Sequence, residues 1–177
     1  MVSVRRKAGF TFIELVVVIL VLVLLSLGAA PKFLDFRDNA KIAILEEIAG
    51  AMHNGLALVH SKAAVEGQDS AVGSIVHAGV TIPLYNGYPS VDGSDTFRQL
   101  NTQIQAWLDI DSVSLTDIKI NNDAAAFFVD KSSRNNQIYL FFAEDLADKK
   151  VSFKCHIMYQ NITTENGYEI SVETDDC

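Results

Sequence analysis

One carboxylate lies inside a long apolar run near the start of the chain. The run covers residues 10–30, and Glu14 is its single charged residue. An ionised side chain at the centre of a membrane costs about 2.5–3.5 kcal/mol on insertion scales, and less near an end. A cut between Gly9 and Phe10 would expose an ammonium group four residues before Glu14, on the same face of a helix. Such a cut therefore predicts an ion pair between Glu14 and the new N-terminus of its own or a neighbouring chain.

The residues before this run are basic, with the sequence Arg5-Arg6-Lys7, and a basic start followed by an apolar run is the general pattern of a secretory signal. One interpretation is a signal peptide that is discarded after Ala30. Two features disfavour it, because Pro31 would directly follow the cut and because Glu14 is costly in such a segment. The 21 residues of the run would form a helix of about 31 Å, which spans a bilayer core. We therefore predict a retained membrane helix.

The junction between the basic start and the apolar run carries a specific motif. It reads Lys7-Ala8-Gly9-Phe10-Thr11-Phe12-Ile13-Glu14. This pattern resembles the class III signal of type IV pilins and type II secretion pseudopilins. The resemblance implies that a prepilin peptidase cleaves after Gly9 and methylates the new N-terminal Phe10. It also implies that Glu14 takes part in subunit assembly and that Pro31 kinks the helix.

Past the apolar run, the hydrophobic pattern remains helical. Apolar residues recur every three or four positions, at Leu45, Ile48, Met52, Leu56, Val59 and Ala63. A helix over residues 11–65 would be about 80 Å long, too long to be buried within a domain of this size. The predicted organisation is a cleaved leader at 1–9, a transmembrane or filament-core helix at 10–30, an amphipathic half of the same helix at 31–66, and a globular head at 67–177.

The head region predicts one further helix and several strands. Residues 75–84 suggest one or two short extended pieces, and residues 85–90 suggest a turn. An amphipathic pattern predicts a helix over 97–108, capped by Ser94 or Asp95. Strand-like segments separated by polar turns predict an antiparallel meander, at residues 126–129, 137–143, 151–159 and 168–174. The expected fold class is α+β, with a long N-terminal helix packed on a small antiparallel β-sheet head, as in type IV pilins.

Two cysteines, Cys155 and Cys177, lie late in the chain. They could be unrelated thiols, but an exposed terminal thiol beyond the membrane would oxidise readily. A bridge would close a loop of about 23 residues and contribute roughly 3 kcal/mol. Such a pair looks like the C-terminal disulfide loop of type IV pilins, which many pseudopilins lack. Residues 29–35 and the turn at 86–89 resemble the mannose-sensitive haemagglutinin type of pilin.

The overall composition excludes several classes of protein. The chain of 177 residues is 49% hydrophobic and carries a formal net charge of -8. Without the three cations of residues 1–9, 11 basic side chains remain against 22 acidic ones, a balance of -11. An acidic chain is unsuited to binding nucleic acid through a basic surface. Two cysteines are too few for a disulfide-dense scaffold or a four-thiolate zinc site.

No set of residues assembles into a recognisable catalytic or metal site. His53 and His60 are seven positions apart on one helix, which is too far to share a metal ion. Residues 92–95 and 109–111 contain aspartates that could offer oxygen ligands to calcium, but neither stretch has the spacing of an EF-hand loop. Phosphate-binding glycine loops, nucleophile elbows and metalloprotease helix motifs are not found. The sequence therefore predicts no enzyme and no cofactor, with calcium as the remaining possibility.

The resemblance implies a structural function. The expected protein is a type IV pilus subunit, resembling the mannose-sensitive haemagglutinin type, that polymerises through its N-terminal helix into a surface filament for attachment. Its expected partners are other copies of itself, the prepilin peptidase, the pilus assembly platform and inner-membrane lipid, without nucleic acid. Its expected location is the inner membrane as a precursor and the cell surface as a filament. Two alternatives remain open: a type II secretion pseudopilin, and a membrane-tethered binding module that stays monomeric.

Overall fold

The computed structural model describes residues 10–91, 93–150, 152–162 and 167–177, except for the side chains of residues 27–35. Contacts along the chain divide it into two compact units, Met1–Ala40 and Lys41–Cys177. The described chain contains three α-helices, α1 (Phe12–Val65), α2 (Phe97–Trp107) and α3 (Leu115–Ile118), and a short 3₁₀ helix, Ala143–Ala147. The described strands are β1 (Gly73–His77), β2 (Val80–Tyr85), β3 (Tyr88–Pro89), β4 (Ser112–Ser114), β5 (Phe127–Ser132), β6 (Gln137–Phe142), β7 (His156–Ile162) and β8 (Gly167–Glu173).

The part of α1 that belongs to the second unit buries one face in the hydrophobic core. The buried positions recur at the intervals expected for a helix, and each is at most 8% exposed: Leu45, Ala49, Met52, Leu56, Val59 and Ala63. This confirms the helix that the apolar period predicts, which begins one residue later than expected and ends at Val65. The same core contains apolar side chains from both sheets and from α2.

The strands of the second unit form two sheets. A small sheet has the order β1-β2-β3, and a larger sheet has the order β4-β5-β6-β7-β8. The pairs from β5 to β8 are antiparallel, as the predicted meander requires. The predicted α+β class, with the long helix packed onto an antiparallel sheet, is therefore confirmed. One difference is β4, which was not predicted and which pairs with β5 in parallel.

The third strand of the predicted meander lies further along the chain than expected. The apolar alternation of residues 151–159 predicts a strand there, whereas β7 covers His156–Ile162. The backbone before β7 is already hydrogen-bonded elsewhere, because Phe153 N donates to Lys150 O at 3.1 Å and Lys154 N donates to Asp176 Oδ2 at 2.8 Å. The first residue of the predicted strand, Val151, lies outside the described residues.

The second helix is present, but its predicted cap is wrong. Thr96, and neither Ser94 nor Asp95, is the N-cap of α2. Its side chain accepts a hydrogen bond from Gln99 N at 3.2 Å, and Gln99 Oε1 accepts one from Thr96 N at 2.8 Å. This reciprocal arrangement is a capping box, which satisfies two backbone donors that a helix start leaves free. The helix ends at Trp107 because Leu108 has extended backbone angles.

A tight turn and a buried asparagine connect the two sheets. Asn86 and Gly87 both have positive φ angles, 52° and 78°, as a two-residue type I′ hairpin turn requires. The side-chain nitrogen of Asn161, on β7, donates to the carbonyl oxygens of Tyr85, Tyr88 and Pro89 at 3.0–3.1 Å. These bonds fix the β2–β3 hairpin against the larger sheet.

Gly55 is a position of close contact between α1 and α2. A Cβ atom there would lie 2.4 Å from the carbonyl oxygen of Trp107 and 2.9 Å from its Cε3 atom, whereas a Cβ at Gly50 would meet nothing within 4 Å. We expect Gly55→Ala to lower the free energy of unfolding by about 1–3 kcal/mol, because overpacking outweighs the helix propensity of alanine. Gly50→Ala should raise it by up to about 1 kcal/mol. Urea unfolding followed by circular dichroism measures both, and equal stabilisation by the two variants would contradict the contact.

Candidate functional site

The start of α1 is held by its own side chains. Thr11 precedes the first helical residue, and its backbone nitrogen and hydroxyl both donate to Glu14 Oε2, at 2.8 and 2.7 Å. In return, Glu14 N donates to Thr11 Oγ1 at 3.3 Å. Thr11 and Glu14 therefore form a capping box at the N-terminus of the helix. The spacing of a threonine and a glutamate three residues apart could have revealed Thr11, which the sequence interpretation missed.

The helix that follows is apolar on all sides. Among residues 10–25, every large hydrophobic side chain except the half-buried Val16 is 46–82% exposed: Phe10, Phe12, Ile13, Leu15, Val17, Val18, Ile19, Leu20, Val21, Leu22, Val23, Leu24 and Leu25. Water-soluble monomers rarely expose apolar surface of this extent. A helix that is hydrophobic all round is usually buried in a core or a membrane. This segment therefore needs a covering that its own described residues do not provide.

The predicted processing residues fall partly within the described chain. Phe10 and Glu14 are described, and Glu14 accepts its hydrogen bonds from Thr11. Gly9, where the cleavage is predicted, lies outside the described residues. Pro31 belongs to α1, but its side chain is not described, and the kink predicted there stays a prediction. Cleavage, methylation of Phe10, and pairing of Glu14 with an ammonium group all stay predictions.

Among the described helical residues, one stretch is long and apolar enough to cross a membrane. This is Phe36–Val65, with a mean hydropathy of 1.3, and 33% of its most apolar segment is buried. This stretch includes the α1 residues that are buried in the core of the second unit. Its high hydropathy is therefore partly that of a helix packed within the head. A shorter apolar helix covers Phe12–Ser26. The predicted membrane segment at residues 10–30 includes this shorter helix and continues into residues whose side chains are not described.

The predicted bridge between the two cysteines is present. Cys155 and Cys177 form a disulfide with a Cα–Cα distance of 4.8 Å, and Cys155 is fully buried. The intervening chain forms β7 and β8, so that the bridge joins the start of one strand to the residues after its neighbour.

The acidic tail around this disulfide is also hydrogen-bonded. Asp176 N donates to Lys154 O at 3.0 Å, and Lys154 N donates to Asp176 Oδ2 at 2.8 Å. The Lys154 ammonium lies 2.9 Å from Asp175 and 3.8 Å from Glu173. Hydrogen bonding to Asp175, with the charges of both carboxylates, raises the pKa of Lys154. The C-terminus is therefore fixed to the sheet by covalent, ionic and backbone contacts together.

A second ion cluster holds the beginning of the head helix. Lys41 Nζ lies 2.8 Å from Glu144 Oε1 and 2.8 Å from Asp145 Oδ1. It also lies over the ring of Phe142, 5.2 Å from its centroid. Burial lowers the pKa of Lys41, but its hydrogen bonds to Asp145 and Glu144 outweigh burial and leave the pKa above its ordinary value. This cluster attaches α1 to the short 3₁₀ helix Ala143–Ala147.

Two of the aspartates considered for calcium, Asp95 and Asp111, have structural partners. Asp95 Oδ2 accepts a hydrogen bond from Gln103 Nε2 at 2.9 Å, and Asp111 Oδ2 accepts one from Ala126 N at 3.0 Å. Asp92 lies outside the described residues. Within the described ranges, no group of three or more histidine, cysteine, aspartate or glutamate side chains is placed to hold a metal ion.

The two helix histidines contact separate tyrosines. His53 Nδ1 lies 2.9 Å from the hydroxyl of Tyr168. The His60 ring stacks on Tyr88 with their centroids 4.4 Å apart. Both contacts attach α1 to the strands, and neither brings the two histidines together.

Comparison with known proteins identifies the N-terminal segment alone. Residues 4–30 match the family described as the prokaryotic N-terminal methylation motif. No curated protein and no solved structure matches the chain. The matched residues include the predicted cleavage junction and the apolar run. The match supports a type IV pilin-like precursor of the pilin or pseudopilin kind, anchored to a membrane through its apolar helix.

Proposed function

We propose that this chain is the precursor of a type IV pilus subunit of the mannose-sensitive haemagglutinin type. One observation carries the proposal: the residues that match the methylation motif include a helix that exposes apolar side chains on every side. Lipid covers this helix in the precursor, and the helices of other copies cover it in the filament. The chain is a structural subunit and not an enzyme, and it needs no cofactor.

The processing reaction supplies the polar contact for assembly. A prepilin peptidase in the inner membrane cleaves after Gly9 and methylates the amino group of Phe10. Glu14 of an incoming subunit pairs with the Phe10 ammonium of a neighbour, which disfavours a vertically shifted fit. The heads associate by a heterologous contact, the type of contact that extends into a helical filament without closing into a ring. The assembly platform in the inner membrane then moves the subunit from lipid into a surface filament.

The disulfide favours a pilus over a pseudopilus. The methylation motif is common to pilins and type II secretion pseudopilins, so that it does not separate these two functions. The Cys155–Cys177 bridge fixes the C-terminal strand and its acidic tail, and such a loop is typical of pilins. The filament therefore serves attachment at the cell surface and is not a periplasmic piston.

The processing step has a direct test. N-terminal mass spectrometry of the mature protein should find a chain of 168 residues that starts at a methylated Phe10. A Gly9→Val variant should keep the leader, because the enlarged side chain alters the residue before the cut. A mature wild-type chain that begins at Met1 or Pro31 would exclude this processing.

Imaging separates the proposed pilus from its alternatives. Deletion of the chain should remove surface fibres, and its re-expression should restore them. Unchanged fibres together with a loss of protein secretion would indicate a pseudopilus. A mature chain that remains monomeric in the membrane would indicate a tethered binding module.

A further inference from the structure

A cleft lies on the face of the larger sheet that is turned away from α1. Side chains alternate between the two faces of a strand, and Lys41 of α1 lies over Phe142. The neighbouring Phe141 therefore belongs to the opposite face, together with Tyr139 and with His156, which pairs with Phe141 across the strands. The cleft has a volume of about 380 Å³ and is lined by Asp130, Ser132, Tyr139, Phe141, Lys149, Lys150 and His156.

The floor of this cleft is aromatic and its wall is cationic. The rings of Phe141 and His156 lie 4.8 Å apart, and those of Tyr139 and His156 lie 5.6 Å apart. Lys149 Nζ lies 5.6 Å from the centroid of Phe141 and 2.5 Å from Asp130 Oδ2. The side chains are held in place on both sides, because the sheet fixes the rings and the disulfide at Cys155 fixes the chain directly before His156.

The charges in the cleft leave one cation without a partner. Lys149 is neutralised by Asp130. Burial lowers the pKa of the half-buried His156 imidazole, and this effect outweighs the smaller opposing effects of the Phe153 backbone and Glu173. Lys150 is exposed and forms no ion pair with any described residue. The cleft therefore carries about one positive charge within an acidic protein.

A second property points to a binding site. Burial and the nearby Asp130 raise the pKa of Tyr139, in the same cleft where the pKa of His156 is lowered. Groups with shifted pKa values that converge on a concave site are typical of ligand-binding surfaces.

We propose that this cleft binds a sugar residue that carries a carboxylate. The Lys150 ammonium pairs with the carboxylate, because a single uncompensated charge matches a monoanion better than a doubly charged phosphate. The half-exposed ring of Tyr139 receives the apolar face of the sugar ring. The Asp130 carboxylate and the Ser132 hydroxyl accept hydrogen bonds from sugar hydroxyl groups. The site is distinct from the N-terminal helix and does not depend on filament assembly.

The test is a titration of the full chain with defined small molecules. The protein is held in lauryldimethylamine oxide micelles, since the head group of this detergent contains no sugar, and amide chemical shifts are recorded. D-glucuronate should shift the signals of Tyr139, Lys150 and His156 with a Kd of about 1 mM. D-glucose, which lacks the carboxylate, should bind at least about tenfold more weakly, because a hydrogen bond to a charged group is lost.

Variants connect the binding to the cleft. Lys150→Met should raise the Kd for glucuronate about tenfold. Lys119→Met is the matched control, because Lys119 is also exposed and has no ion pair among the described residues but lies outside the cleft. It should leave the Kd unchanged. Tyr139→Leu keeps an apolar side chain without the ring and should also weaken binding.

Several results would overturn the proposal. One is the absence of shifts with glucuronate at the cleft, and another is an equal loss of affinity in Lys150→Met and Lys119→Met. Equal Kd values for glucose and glucuronate would show that the carboxylate does not contribute to binding. Equal binding of N-acetylglutamate amide, a carboxylate without a sugar ring, would assign the cleft to an acidic peptide instead.

Discussion

Surface filaments are expected to disappear when Glu14 is changed to alanine, while the chain still accumulates in the membrane. The proposed assembly pairs the Glu14 carboxylate with the ammonium of a neighbouring Phe10, and alanine cannot form this pair. Removal of the charge also makes the apolar helix more favourable in lipid, by up to about 2.5–3.5 kcal/mol at the membrane centre. The subunit therefore stays in the membrane. Electron microscopy of sheared material measures the number of filaments, and immunoblotting of membranes measures the amount of chain that accumulates there.

The capping box makes this test sharper. Glu14→Gln removes the charge, but the glutamine side chain still accepts the hydrogen bonds that Thr11 donates. Thr11→Val does the reverse, because it removes the cap at a cost of about 1 kcal/mol and leaves the carboxylate. We expect Glu14→Gln to lack filaments and Thr11→Val to retain them. Filaments in Glu14→Gln would contradict the ion pair and would leave helix capping as the role of Glu14.

Loss of the disulfide is the second large effect that we expect. The double variant Cys155→Ala with Cys177→Ala should lower the free energy of unfolding by roughly 3 kcal/mol, because the unfolded chain regains the freedom of the open loop. The tail that follows β8 should then detach first, since its remaining contacts are an exposed ion pair of Lys154 with Asp175 and two hydrogen bonds between Lys154 and Asp176. Such exposed pairs are screened by solvent and stabilise the fold only weakly.

Protease digestion and urea unfolding measure this effect. The double variant should be cut near the C-terminus at protease concentrations that leave the oxidised wild type intact. Wild-type protein reduced with dithiothreitol is the control and should behave like the variant. Lys154→Met keeps the bridge and should be much less destabilised than the double variant, because exposed ion pairs contribute little to stability. Equal protease resistance of the double variant and the oxidised wild type would show that the disulfide does not stabilise the head.

The features that the sequence predicts correctly depend on residues close together in the chain. The helix period of Leu45, Met52 and Leu56 repeats every three or four positions, and such a repeat needs no knowledge of a distant partner. The meander from β5 to β8 follows from alternation within each strand and from polar turns between them. Glu14 lies four residues after Phe10, and this spacing is likewise read directly from neighbouring residues.

Other features escape prediction because their signals are short or distant. The strand β4 has three residues and α3 has four, which is too few to display a period. The parallel pairing of β4 with β5 also depends on the path of the chain between these two strands. The predicted cap of α2 lies one or two residues too early, because Ser94, Asp95 and Thr96 are all good caps. Only the capping box with Gln99 identifies Thr96.

The sequence by itself determined the apolar N-terminal run, its single carboxylate and the helix that continues into the head, since each is a pattern of neighbouring residues. Apart from the predicted Cys155–Cys177 bridge, tertiary structure alone decided the contacts between distant residues. Examples are the bonds from Asn161 to the β2–β3 hairpin and from the Tyr159 hydroxyl to Pro89 O, 70 residues away. Tertiary structure also decided the cleft around Tyr139 and Lys150. The physical reason is that local spacing sets the face of a helix or strand, whereas the path of the whole chain sets which faces meet.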